Sequence, residues 1–143
     1  MARILIIDDD DTLRGIIVKS LTHAGHEVVH TNNGRKGVEL FRSNPTDLVV
    51  TDMVMPEQEG METIKILHQS FPTLPIIAMS GGLDGSPLYL DLTRRLGAMI
   101  TLTKPFTLQQ LKVAIDEIFA KNPPPPSAPP PAAGAEEKPA AGS

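Results

Sequence analysis

Five short apolar runs, each followed by a longer stretch of helical period, constrain this chain more than any other feature of its sequence. The runs lie near Arg3 to Ile7, Glu27 to Thr31, Leu48 to Thr51, Pro75 to Met79 and Met99 to Thr103. Three of them are unbroken, which marks strands covered on both faces by helices. The mixed run Glu27-Val28-Val29-His30-Thr31 is more polar and suits an edge. Strands that alternate with helices build a parallel sheet through right-handed crossovers. The expected fold is α/β, a doubly wound five-stranded parallel sheet of order 2-1-3-4-5 with five helices.

The intervening segments carry their own punctuation. Leu13, Ile16, Ile17, Ser20, Leu21 and Ala24 form a stripe that ends at Gly25, a residue suited to a helix C-terminus. Val38, Leu40 and Phe41 mark a second helix, and Met61, Ile64, Ile66 and Leu67 a third. Leu88, Leu92 and Leu96, between Pro87 and Gly97, mark a fourth. Thr107-Leu108-Gln109-Gln110 reads as a capping box that opens a fifth helix through Leu111, Ile115, Ile118 and Phe119.

Composition changes at Asn122: eight of the 14 prolines fall in the last 22 residues, with Ala, Gly and Ser. Without larger apolar side chains that stretch has nothing to bury, so residues 1–121 are expected to form one domain and 122–143 a disordered Pro/Ala-rich tail. A net charge of −4 without concentrated Lys or Arg disfavours direct binding to nucleic acid. The absence of cysteine excludes disulfides and thiolate metal sites. The apolar start, Ile4 to Ile7, is too short for a signal segment or a membrane span, and the expectation is a cytoplasmic protein without a membrane partner.

The chemistry is expected where two of the apolar runs end. Asp8 and Asp9 follow the first and Asp52 follows the third. In the expected strand order these runs are neighbours at the switch point, beyond whose carboxyl ends ligands bind. Three carboxylates repel one another unless a hard divalent cation joins them, and oxygen donors of this kind suit Mg²⁺. Ser80, after the fourth run, and Lys104, after the fifth, add a hydroxyl and a cation able to meet phosphate oxygens. Asp10 and Asp11 read as helix-capping residues. An unusual geometry of the bond before Pro105, cis in particular, would help to aim Lys104 inward.

Together these residues resemble a response-regulator receiver domain of two-component signalling, over residues 1 to about 121. The likeness rests on Ile6-Ile7-Asp8-Asp9, on Asp52 with Met55-Pro56 and Gly60, on Ser80, and on Thr103-Lys104-Pro105-Phe106. It implies the flavodoxin-like arrangement of chemotaxis-type regulators and a chain that is not an enzyme, beyond assisting its own phosphorylation and dephosphorylation. It implies Asp52 as phosphoacceptor, Asp8, Asp9, Asp52 and the Val54 carbonyl as Mg²⁺ ligands, and Ser80 and Lys104 as partners of the phosphoryl group. The implied partners are a histidine kinase or phosphotransfer protein and a downstream protein that meets the fourth-helix and fifth-strand face.

Two features qualify the resemblance. Thr101 stands where such domains commonly carry Tyr or Phe, so a smaller switch is expected, through the fourth strand, the Gly81 to Ser86 loop and the fourth helix. Asp8-Asp9-Asp10-Asp11-Thr12 also satisfies the Asp-x-Asp-x-Thr pattern of haloacid-dehalogenase-like phosphatases, with Asp8 as nucleophile. Against that alternative, the only acids after Lys104 and before the tail, Asp116 and Glu117, fall within the fifth helix.

Overall fold

The computed structural model describes residues 2–53, 59–80 and 87–121, with backbone alone at 59–61, 87–90 and 92. Elements alternate as β1 (Arg3–Ile7), α1 (Asp11–His23), β2 (Glu27–Thr31), α2 (Gly34–Ser43), β3 (Leu48–Asp52), α3 (Glu59–Ser70), β4 (Ile76–Ser80), α4 (Pro87–Leu96), β5 (Ile100–Thr103) and α5 (Leu108–Lys121). The five strands are parallel in the order β2-β1-β3-β4-β5. This is the fold and strand order that the sequence predicts. The 122–143 segment, Val54, Met55-Pro56 and the Gly81 to Ser86 loop lie outside the described residues.

Strand side chains alternate between two cores, because successive Cβ atoms leave a strand on opposite faces. Ile4 and Ile6 of β1, with Leu48, Val50, Ile77 and Met79, meet Ile17 and Leu21 of α1 and Leu111, Ile115 and Ile118 of α5. Leu5 and Ile7, with Val49, Ile76 and Ala78, meet Val38 and Phe41 of α2 and Ile64 and Leu67 of α3. β3 and β4 are buried throughout, whereas β2, the expected edge, is part-exposed.

The stripe expected on α1 needs correction at two residues. Ile17 and Leu21 are buried and Leu13 and Val18 pack beside them, but Ile16 is 48% exposed, and Ala24, just past the helix, is exposed as well. Successive helical residues are separated by about 100°, so an apolar residue beside a buried position can still face outward. The strands also differ slightly from the expected bounds: β3 continues to Asp52, β4 begins at Ile76 and includes Ser80, and β5 begins at Ile100. Pro75 has no N–H to give the ladder, although its carbonyl accepts from the Val49 N–H at 3.1 Å.

Local signals settle several termini. The Asp10 carboxylate accepts from the Leu13 N–H at 3.0 Å and caps α1, as expected. At the other end Gly25 has φ +99°, with His26 N–H donating to the Leu21 carbonyl and Gly25 N–H to that of Thr22. This pair of bonds is the glycine-terminated helix end that the sequence predicts. At α5, Gln110 N–H donates to Thr107 Oγ1 at 3.0 Å and Thr107 N–H to Gln110 Oε1 at 2.8 Å, a reciprocal capping box. Gly37 marks a close helix–strand approach: a Cβ there would collide with Cδ1 of Ile7 and lie 2.8 Å from its Cγ1.

Candidate functional site

The parallel register carries three acidic residues to one edge of the sheet. Asp52 ends β3 and Asp8 follows β1, two strands paired from Ile4↔Leu48 to Ile7↔Thr51. Asp8 N–H donates to the Thr31 carbonyl at 3.2 Å, so the chain leaves β1 still held by β2. One carboxylate oxygen from each of Asp8, Asp9 and Asp52 lies within 4.8 Å of the other two. Asp8 is fully buried and Asp52 2% exposed, while Asp9 is exposed.

Lys104 enters this group from the end of β5. Its Nζ stands 3.2 Å from Asp52 Oδ2 and 3.4 Å from Asp8 Oδ2. Burial alone would lower the lysine pKa, but the charges of Asp52 and Asp8 and the bonds to both outweigh it and hold the pKa above the ordinary value. The Lys104–Pro105 peptide is cis, the isomer that the sequence reading considered. The backbone N–H of Lys104 donates to the Ser80 carbonyl at 2.7 Å, which fixes the root of the side chain against β4.

Ser80 is 1% exposed, and its Oγ has no hydrogen-bond partner among the described residues. A buried hydroxyl left unpaired costs free energy, so a group that it could donate to would be stabilising. Thr101, at the position of the usual aromatic, is half-buried on β5.

The residues present fit Mg²⁺ by donor type and charge. Three carboxylates against one ammonium leave an excess of two negative charges, the complement of a divalent cation, and every side-chain donor is a hard oxygen. The Val54 carbonyl, implied as a further ligand, lies outside the described residues.

Arg14 of α1 went unnoticed in the sequence. Its Nη1 donates to the Asp8 carbonyl at 2.8 Å, its Nε to His30 Nδ1 at 3.2 Å, and its Nη2 pairs with Asp11 at 2.7 Å. Burial, and then the Arg14 charge, lower the His30 pKa, which keeps the ring neutral and its Nδ1 an acceptor. The only signal in the sequence is the Asp11–Arg14 spacing of three on one helix, which does not reveal the bond to Asp8.

Comparison with known proteins agrees with this geometry. A family model of the response regulator receiver domain matches residues 4–116. The response regulator receiver protein CpdR of Brucella abortus is 35% identical over 118 residues, covering 82% of this chain and 97% of CpdR. A probable transcriptional regulatory protein of Picosynechococcus sp. is 34% identical over 117 residues, covering 77% of this chain, which spans only 46% of that longer relative. A response regulator receiver domain from Clostridium thermocellum superimposes with a TM-score of 0.77 at 31% identity, covering 85% of this chain and 97% of that one. None of this supports the phosphatase alternative: Asp116 and Glu117 are exposed within α5 and do not follow a strand. By its fold, its edge cluster of acids and its relatives, the chain belongs to the response regulator receiver domain family of two-component signalling.

Proposed function

We propose that the chain accepts a phosphoryl group on Asp52 from a phosphohistidine of a histidine kinase or phosphotransfer protein, with Mg²⁺ bound, and thereby switches its affinity for a downstream protein. The observation that carries this reading is the placement of a nearly buried Asp52 beside the Lys104 ammonium and within one triangle of carboxylates with Asp8 and Asp9. In the transfer an Asp52 oxygen attacks phosphorus, the new P–O bond forms as the P–N bond breaks, and the imidazole departs with its electron pair.

Each residue has one task. Asp8, Asp9 and Asp52, with the Val54 carbonyl, would hold Mg²⁺, which when bound would neutralise charge on the phosphoryl oxygens. Lys104 meets a phosphoryl oxygen with its ammonium in place of the Asp52 oxygen that it now faces. Ser80 donates its unpaired hydroxyl to another oxygen and moves toward it. Asp52 is consumed and regenerated rather than turning over a separate substrate, so the chain assists its own modification without being an enzyme for others. The receiver unit is read as residues 1–121, working in the cytoplasm, and no described helix is long and apolar enough to cross a membrane.

Acetyl phosphate with Mg²⁺, followed by intact-mass measurement, tests the reading. The wild type gains one phosphoryl group, and Asp52→Ala or added chelator abolishes the gain. An equal gain in wild type and Asp52→Ala would refute Asp52 as the acceptor.

A further inference from the structure

The two acids that follow β1 are held in different ways. Asp8 is fixed on every side: its N–H donates to Thr31, its Oδ1 accepts from the Asp10 N–H at 2.9 Å, and its Oδ2 faces Lys104. Asp9 is exposed, and the peptide plane that joins it to Asp8 sets where its Cα lies and the directions open to its side chain. The carbonyl of that plane accepts the 2.8 Å bond from Arg14. Arg14 is itself immobilised, with a side chain 15% exposed and pinned by His30 on one side and Asp11 on the other. His30 in turn is set by the β1–β2 register, in which it lies opposite Ile6.

We infer that Arg14 is a positioning residue for the metal site: its guanidinium fixes the Asp8–Asp9 peptide so that the Asp9 carboxylate is presented to Mg²⁺ before the ion arrives. This rests on the reading that Asp8 and Asp9 hold the metal. Two effects of Arg14 oppose each other. As a nearby cation it repels Mg²⁺, so its removal through charge alone would tighten binding. As an anchor it removes a rotation that metal binding would otherwise have to freeze, so its removal weakens binding. Where the anchor dominates, loss of a positive charge lowers affinity for a positive ion, an outcome that simple electrostatics does not produce. A purely structural tie between α1 and β2 would move stability and leave metal affinity alone.

Calorimetric titration of Mg²⁺ into the full chain, paired with urea unfolding in chelator, separates these cases. Arg14→Met is expected to bind Mg²⁺ about tenfold more weakly than wild type, the usual scale for residues that orient metal ligands. Arg14→Lys keeps the charge but not the forked set of donors, so it too is expected to bind more weakly, and it decides the matter if the methionine variant does not fold. Thr107→Ala breaks the capping box of α5, away from the acidic cluster, and is expected to keep wild-type affinity while losing stability. Equal or tighter binding in the Arg14 variants would overturn the inference. An equal loss in Thr107→Ala would also overturn it, because the effect would then follow fold stability. A wild type that binds no Mg²⁺ would overturn the metal reading itself, and this inference with it.

Discussion

Lys104 Nζ lies 3.2 Å from Asp52 Oδ2, although 52 residues separate the two in the chain. The same ammonium lies 3.4 Å from the fully buried Asp8, so one cation offsets two acids that the fold has taken out of water. Lys104→Met keeps the aliphatic stem and removes that charge. Stability in chelator is expected to fall by about 1–3 kcal/mol, since buried charged groups lose a partner. Saturating Mg²⁺ is expected to recover most of the loss, as a second cation takes over the compensation. Urea unfolding with and without Mg²⁺ measures both, and equal losses in the two conditions would contradict the account.

Ser80 offers the reverse case, a polar group whose removal relieves the ground state. Its hydroxyl is buried without a partner among the described residues. Ser80→Ala is expected to be neutral to stabilising by up to about 1 kcal/mol in the unphosphorylated protein. The same variant is expected to lose stabilisation by a phosphoryl mimic such as beryllofluoride. Thermal melts with and without the mimic test the pair of effects, and a destabilised apo variant would show that Oγ already has work in the resting state.

Gly37 admits α2 close to β1. A methyl there meets the Cγ1 of Ile7 at 2.8 Å, and Ile7 is fully buried. Gly37→Ala is expected to lose about 1–3 kcal/mol, the usual cost of overpacking a core. Because Ile7 immediately precedes Asp8, weaker Mg²⁺ binding is expected as well. Denaturant unfolding and metal titration check the two outcomes together.

Acid is expected to weaken the fold through two histidines. Burial, the largest cause at each site, lowers the pKa of His26 and His30 below the ordinary 6.5. The unfolded chain therefore binds more protons between the two values, and stability rises with pH across that interval. Their contribution is complete above about 6.5 and is lost as pH falls through the lowered folded values. Lys104 acts at the other extreme: its raised pKa makes a contribution complete below 10.5 and lost as pH rises through the folded value. Unfolding midpoints for wild type, His26→Gln and His30→Gln between pH 7 and 5 test the acid limb, where each variant should flatten the slope.

The reciprocal bonds at the head of α5 set a smaller scale. Thr107→Ala removes the acceptor of the Gln110 N–H. About 1 kcal/mol of stability is expected to go with it, leaving Mg²⁺ binding unchanged because α5 contributes no residue to the acidic cluster.

Periodicity and punctuation made most of the fold legible. Unbroken runs such as Leu48 to Thr51 announced covered strands, and Gly25 and the Thr107–Gln110 pair announced helix ends that the structure shows. Asp8, Asp9 and Asp52 could be placed together because parallel strands put their carboxyl ends on one edge, and the reach of Lys104 followed from the same rule. Ile16 was misread because an apolar side chain on a helix is no proof of burial when the next residue, Ile17, carries the contact. Arg14 was missed for a different reason. Its three bonds reach the residue after β1, a residue of β2 and one of its own helix, and only the assembled register of Ile6 opposite His30 brings them within reach.

The bond from the Lys104 backbone to Ser80 has a mechanical corollary. Lys104 is gripped at its root by β4 and at its tip by the acid that follows β1 and the one that ends β3, so a single residue spans the open rim of the sheet like a tie-bar. Any newcomer on Asp52 that captures the tip must tug the anchored end. Load applied at Asp52 would thus emerge two strands away, at the β4–β5 margin, with no aromatic lever needed to carry it.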